Sequence, residues 1–164
     1  MKIKKITKSL LLILVAIGII TACSSDDTCR ESKVVEMGMT LYVDSINPAT
    51  GLWVEQKITV EPLTIHGVGV DSLLTDSESV SSVKAPLNQF AETSAFRFDF
   101  GSFSDTITIH HKNSIELLSL ECGSVRTYNI ESASTSGHFI DSITILNPSV
   151  TNFHVENIKL HHIK

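Results

Sequence analysis

Apolar residues recur at every second position along most of this chain, and that period leaves few folds open. Phe96, Phe98 and Phe100 alternate with Arg97 and Asp99, and Ile107 and Ile109 alternate with Thr106 and Thr108. Met37, Met39, Leu41 and Val43 follow the same rule. Successive side chains of a strand point to opposite faces, so each such run is a strand with one apolar face. No helical period of comparable length occurs after residue 23. An apolar sheet face must be covered, and with no helix to cover it the covering layer is a second sheet. The expectation is an all-β chain of about nine or ten strands, folded as an antiparallel β-sandwich of immunoglobulin-like or jelly-roll-like type.

Turn chemistry places the strand boundaries. Asn47-Pro48-Ala49-Thr50-Gly51 closes a first hairpin, because Pro presets φ and Gly permits positive φ. A second strand is expected over about Leu52 to Val60, with Ile58 and Val60 on one face. Pro62 should interrupt the ladder, and Gly67 and Gly69 suggest a bulge. The polar run over residues 75–83 reads as a surface loop. Val83 to Leu87, with Pro86, reads as an edge piece. Ile115 to Cys122 reads as a strand of its own, with Leu118, Leu120 and Cys122 on a shared face. Ile158 and Leu160 should point inward from the last strand, Val155 to His162.

The first 22 residues follow a different grammar. Lys2, Lys4, Lys5 and Lys8 precede an apolar run from Leu10 to Ile20, and Ile20-Thr21-Ala22-Cys23 closes it with small residues before a cysteine. A basic start, a short apolar centre and a small-residue cleavage site make a secretory signal. The apolar run is about half of the roughly twenty residues that a membrane span needs. The ending resembles the bacterial lipobox, which implies lipid attachment at Cys23 and anchoring by acyl chains. The expected organisation is a lipoprotein signal peptide over 1–22, a lipidated tether over 23–33 and a β-sandwich domain over 34–164. The expected location is the outer membrane, on its periplasmic face or at the cell surface.

Charge narrows the partners. The chain has 13 basic and 18 acidic residues. The four signal-segment lysines leave on cleavage, so the mature domain is more acidic still, at about −9. Nucleic acid is excluded as a partner, since it needs a basic face. Three cysteines are present. With Cys23 lipidated, Cys29 and Cys122 remain in a disulfide-permissive compartment and are expected to pair, the alternative being two free thiols with Cys122 in the core.

Several short stretches together resemble an uncharacterised family of Bacteroidetes lipoproteins, known mainly as a domain of unknown function. They are the lipobox, Cys29 near the mature start, Gly67-Val68-Gly69-Val70-Asp71-Ser72-Leu73, Ala85-Pro86-Leu87-Asn88 and Glu121-Cys122-Gly123. Ile140-Asp141-Ser142-Ile143 and Asn157-Ile158-Lys159-Leu160 complete the set. The resemblance implies a small secreted β-domain and brings no activity or catalytic residues.

Residues able to carry chemistry are scattered. His110-His111 and His161-His162 are adjacent pairs on strands, so the rings of each pair face opposite ways and cannot share one ion. A cross-strand site is conceivable, for instance His111 with Asp105. No Cys/His spacing suggests structural zinc. Neither a Gly-x-Ser-x-Gly elbow nor an exposed activated cysteine is present, so no catalytic residue, cofactor or metal is expected. Trp53, the sole tryptophan, reads as core or, if exposed, as a stacking platform flanked by Tyr42. Asp44-Ser45-Ile46, Asp71-Ser72-Leu73, Asp105-Thr106-Ile107 and Asp141-Ser142-Ile143 are similar to the O-glycosylation motif of secreted Bacteroidetes proteins. That similarity implies Ser45, Ser72, Thr106 and Ser142 as acceptors. The functional expectation is a non-catalytic, lipid-anchored cell-envelope module that binds a protein or glycan partner. The alternatives are a small-ligand or metal-binding module and an enzyme with cross-strand catalytic residues.

Overall fold

The computed structural model describes residues 29–69 and 73–163. The signal segment, Cys23, most of the tether, and Asp71 with Ser72 lie outside the described residues. Among the described residues eleven strands form: β1 (Met37–Ile46), β2 (Trp53–Lys57), β3 (Val60–Gly67), β4 (Leu73–Val80) and β5 (Ser82–Ala85) come first. β6 (Thr93–Asp99), β7 (Ser104–Ser119), β8 (Gly123–Thr135), β9 (Ser142–Ile145), β10 (Ser149–Val150) and β11 (Glu156–Ile163) follow. Among the described residues there is no helix.

The strands make two sheets. One runs β2-β1-β11-β9, with β5 also paired to β1; the other runs β10-β8-β7-β6-β3-β4. Met37, Met39, Leu41, Ile158 and Leu160 from the first share one buried cluster with Leu63, Ile65, Phe96, Phe98, Ile107 and Ile109 from the second. The chain is therefore an all-β sandwich, and the alternating residues face the core as their period requires. Each large apolar side chain so buried contributes about 1.5–3 kcal/mol.

One pairing departs from an antiparallel plan: β1 and β11 run parallel, with Leu41 opposite Leu160 and Tyr42 opposite His161. The first and last strands can adopt this arrangement because no short connection has to join them. Gly38 marks the tight entry to this pairing, since a Cβ there would lie 2.3 Å from the Val155 carbonyl oxygen. The buried amide of Asn157 secures the same corner. Its Oδ1 accepts from Gly38 N at 2.9 Å and its Nδ2 donates to the carbonyls of Asn147 and Ser149, each at 3.0 Å.

Four boundaries differ from the sequence reading. The polar run after residue 75 lies largely in β4, at the edge of the six-stranded sheet, where alternate side chains can be solvated. β2 stops at Lys57, and Val60 opens β3, which runs through Pro62 with its register against β4 shifted between Val60 and Leu63. Residues 104–119 form one strand, so Lys112 and Asn113 do not break it. Beyond them Ile115, Leu117 and Leu120 are exposed at the far end of the β7–β8 hairpin, and Leu120 sits in its turn. The apolar pattern persists there, but no second sheet reaches far enough to cover it.

Candidate functional site

The outer face of the five-stranded sheet carries a group of neighbouring polar side chains. Because Leu41, Val43, Ile158 and Leu160 point inward, Tyr42, Asp44, Lys159 and His161 must point out. The β1–β2 register sets Asp44 opposite Glu55 and Tyr42 opposite Lys57. The β11–β9 register sets Lys159 opposite Thr144 and His161 opposite Ser142. Four neighbouring strands thus contribute to one patch.

His161 is at its centre, with a side chain only 8% exposed. Its Nε2 lies 3.0 Å from Thr144 Oγ1. Its Nδ1 faces Asp44 Oδ2 at 3.0 Å and Glu55 Oε1 at 3.7 Å. The Asp44 distance suits an ion pair, yet the ring N–H direction misses the oxygen and the buried Nδ1 has no hydrogen bond. Tyr42 stacks on the same ring at 6.2 Å between centroids. Its hydroxyl donates to Glu156 Oε1 at 3.0 Å, and burial together with that bond raises its pKa above the usual phenol value. Lys159 sits 4.5 Å over the Tyr42 ring and pairs with Glu55 Oε2, which raises the lysine's pKa.

Trp53 lies on this face, 62% exposed and opposite Ile46, which is also exposed. The core reading of Trp53 is corrected: it opens a short edge strand whose outward side lies away from the second sheet. Tyr42 does not flank it. The Asp44–Glu55 pair stands between their two rungs of the ladder.

Other sequence-derived candidates fall elsewhere. Cys29 and Cys122 are both disulfide-bonded. Ser142 is exposed, whereas Ser45 and Thr106 are half-buried. The aspartates of these motifs serve different local needs. Asp105 is fully buried and binds the loop before β9: Oδ1 accepts from Ser136 Oγ at 2.7 Å and His138 N at 2.8 Å. Its Oδ2 accepts from Phe139 N at 2.7 Å and Ile140 N at 2.8 Å. Burial alone would raise its pKa, but the hydrogen bonds from Ile140, His138, Ser136 and Phe139 prevail and bring it down to about 2. Asp141 Oδ2 accepts from Ile163 N at 2.8 Å.

Asp105 and His111 form no common site, because each is committed to other partners. His111 is wholly buried, with Nε2 2.9 Å from Ser94 Oγ and Nδ1 2.8 Å from Asn113 Oδ1. Ser94, His111 and Asn113 have the connectivity of a catalytic triad, but their surroundings make them a clamp. Asn88 N donates to Ser94 Oγ at 2.7 Å, and Asn113 Nδ2 reaches the carbonyls of Asn88, Gln89 and Ala91. Burial lowers the His111 pKa against the opposing effect of Asn113. A neutral amide would not stabilise an imidazolium there as a carboxylate does. The bonds pin the β5–β6 connection beside a groove of about 280 Å³ lined by Leu87, Phe90 and Ser94.

The meeting of Asp44, Glu55 and His161 was not evident from sequence. The alternation of Tyr42 and Asp44 marked an outward face of β1, but nothing local pairs that face with β11. Searches of curated proteins and of solved structures found no match. Residues 62–162 match a family described as "Family of unknown function (DUF6452)", a stretch that contains His161 and leaves Asp44 and Glu55 before its start. The chain belongs to that family.

Proposed function

We propose that this protein is a non-catalytic binding module held at the cell envelope by lipid on Cys23, with a glycan partner received on the outer face of the five-stranded sheet. The observation that carries the glycan is the exposed indole of Trp53 on the same face as Asp44, Glu55 and Lys57. A flat aromatic ring stacks on the apolar face of a sugar, and flanking carboxylates and ammonium groups bond its hydroxyls. The lipobox-like ending and the resemblance to Bacteroidetes lipoproteins support the envelope location.

Trp53 is the only tryptophan, so intrinsic fluorescence reports on this site alone. Envelope polysaccharides titrated into the protein should protect the indole from acrylamide quenching, and Trp53→Ala should lower their affinity, measured by calorimetry, at least tenfold. Unchanged affinity in Trp53→Ala would remove the site from the reading. A protein partner is favoured by a separate observation, the exposed Ile115, Leu117 and Leu120 at the hairpin end, which are 70%, 65% and 91% exposed. Leu117→Asp should then abolish capture of a crosslinked membrane partner while sparing polysaccharide binding.

A further inference from the structure

Beyond the glycan reading, we infer that Asp44, Glu55 and His161 form a site for a divalent transition-metal ion of the Zn²⁺ type. One ligand atom from each residue lies within 4.8 Å of the other two. The site is built on β1, β2 and β11, adjacent strands of a single sheet, so the ligands sit on rigid backbone.

The orphaned imidazole nitrogen carries the inference. A buried ring nitrogen without a hydrogen bond is costly, and His161 Nδ1 is in that position with carboxylate oxygens 3.0 and 3.7 Å away. If Nε2 carries the ring proton and donates it to Thr144 Oγ1, Nδ1 is left as an unpaired acceptor 3.0 Å from a carboxylate oxygen that can donate nothing to it; if Nδ1 carries the proton, the N–H points past that oxygen. A cation between the three atoms satisfies all of them at once.

Size and charge agree. Metal bonds of about 2.0–2.1 Å arranged tetrahedrally put neighbouring ligand atoms about 3.3 Å apart. The separations from Nδ1, 3.0 Å to Asp44 and 3.7 Å to Glu55, bracket that value. Lys159 pairs with the other oxygen of Glu55 and leaves Oε1 free to coordinate. Asp44, Glu55 and Glu156 outnumber Lys57 and Lys159 on this face, so the patch is net negative and attracts a cation. Thr144 on Nε2 supplies the outer partner that fixes a metal-binding imidazole. An imidazole with two carboxylates selects first-row divalent ions over Ca²⁺ and Mg²⁺, which prefer all-oxygen shells.

The test is calorimetric titration of Zn²⁺ into the full-length chain after chelator treatment. One saturable site is expected, weakened at least tenfold by Asp44→Asn and by Glu55→Gln, each of which preserves shape. Thr144→Val should weaken binding severalfold without touching the ion, whereas His154→Ala should leave it unchanged. No saturable binding, equal affinity in Asp44→Asn and Glu55→Gln, or preference for Ca²⁺ over Zn²⁺ would overturn the inference. Trp53→Ala leaves the metal ligands in place, so polysaccharide and Zn²⁺ titrations of that variant separate this site from the glycan reading.

Discussion

Asp105 and Asp44 are both strand aspartates beside a histidine, and they are held in opposite ways. Asp105 has an imidazole, His138 Nδ1, at 3.2 Å, but its two oxygens are already occupied by Ser136 and three backbone N–H groups. Asp44 faces His161 at 3.0 Å without a hydrogen bond from it. The first carboxylate is consumed by the fold, and its low pKa reports structural demand. The second is supported by the fold but not consumed by it, which leaves a ligand atom in hand. Proximity of Asp to His therefore distinguishes nothing by itself; the count of satisfied lone pairs does.

Substitution at the two positions separates these roles most sharply. Asp105→Asn places an amide NH₂ against backbone donors in a fully buried site and should cost about 3 kcal/mol or more in thermal or urea unfolding. Asp44→Asn should stay within about 1 kcal/mol, because Asp44 is partly solvated and leaves no buried backbone group unpaired. Similar losses in the two variants would break the comparison.

Acid provides the next largest effect. The folded pKa of Asp105 is depressed from 3.8 to about 2, so its stabilisation is fully present above pH 3.8 and is lost as pH falls through about 2. Its size is on the order of 2 kcal/mol. Urea midpoints measured between pH 5 and pH 2 should show this loss in the native chain and a shallower fall in Asp105→Asn. An identical acid slope in both proteins would mean that Asp105 is not the group responsible.

A smaller effect sharpens the other side. Trp53→Ala should change stability by about 0.5 kcal/mol or less, since the indole is mostly solvated, while weakening polysaccharide binding measured by calorimetry. A loss of several kcal/mol would mean that Trp53 packs as core after all.

Much of the fold was legible because strand alternation is local. A side chain's face follows from its parity along the strand, so Met39, Leu41, Phe96, Phe98, Ile158 and Leu160 could be placed inside from sequence, and all are buried. The same parity put Trp53 on a definite face of β2 but could not say which face the second sheet covers. It also mistook β4 for a loop, because an edge strand with a solvated face can be as polar as a turn. The hairpin end misled in the reverse direction: Leu118, Leu120 and Cys122 read as one apolar strand face, yet Leu120 sits exposed in the hairpin turn, with Ile115 and Leu117 exposed on the strand before it.

What the amino-acid sequence determined by itself was the strand class, the inward set of side chains, the hairpin turn at Asn47 to Gly51 and the pairs of histidine rings pointing to opposite faces. What only the tertiary structure decided was which strand edges meet. Every strand presents the same backbone donors and acceptors, so hydrogen bonding alone does not choose partners. The choice falls to the packing of the whole core, which lays β11 parallel to β1 and brings His161 from the end of the domain to Asp44 and Glu55 at its beginning.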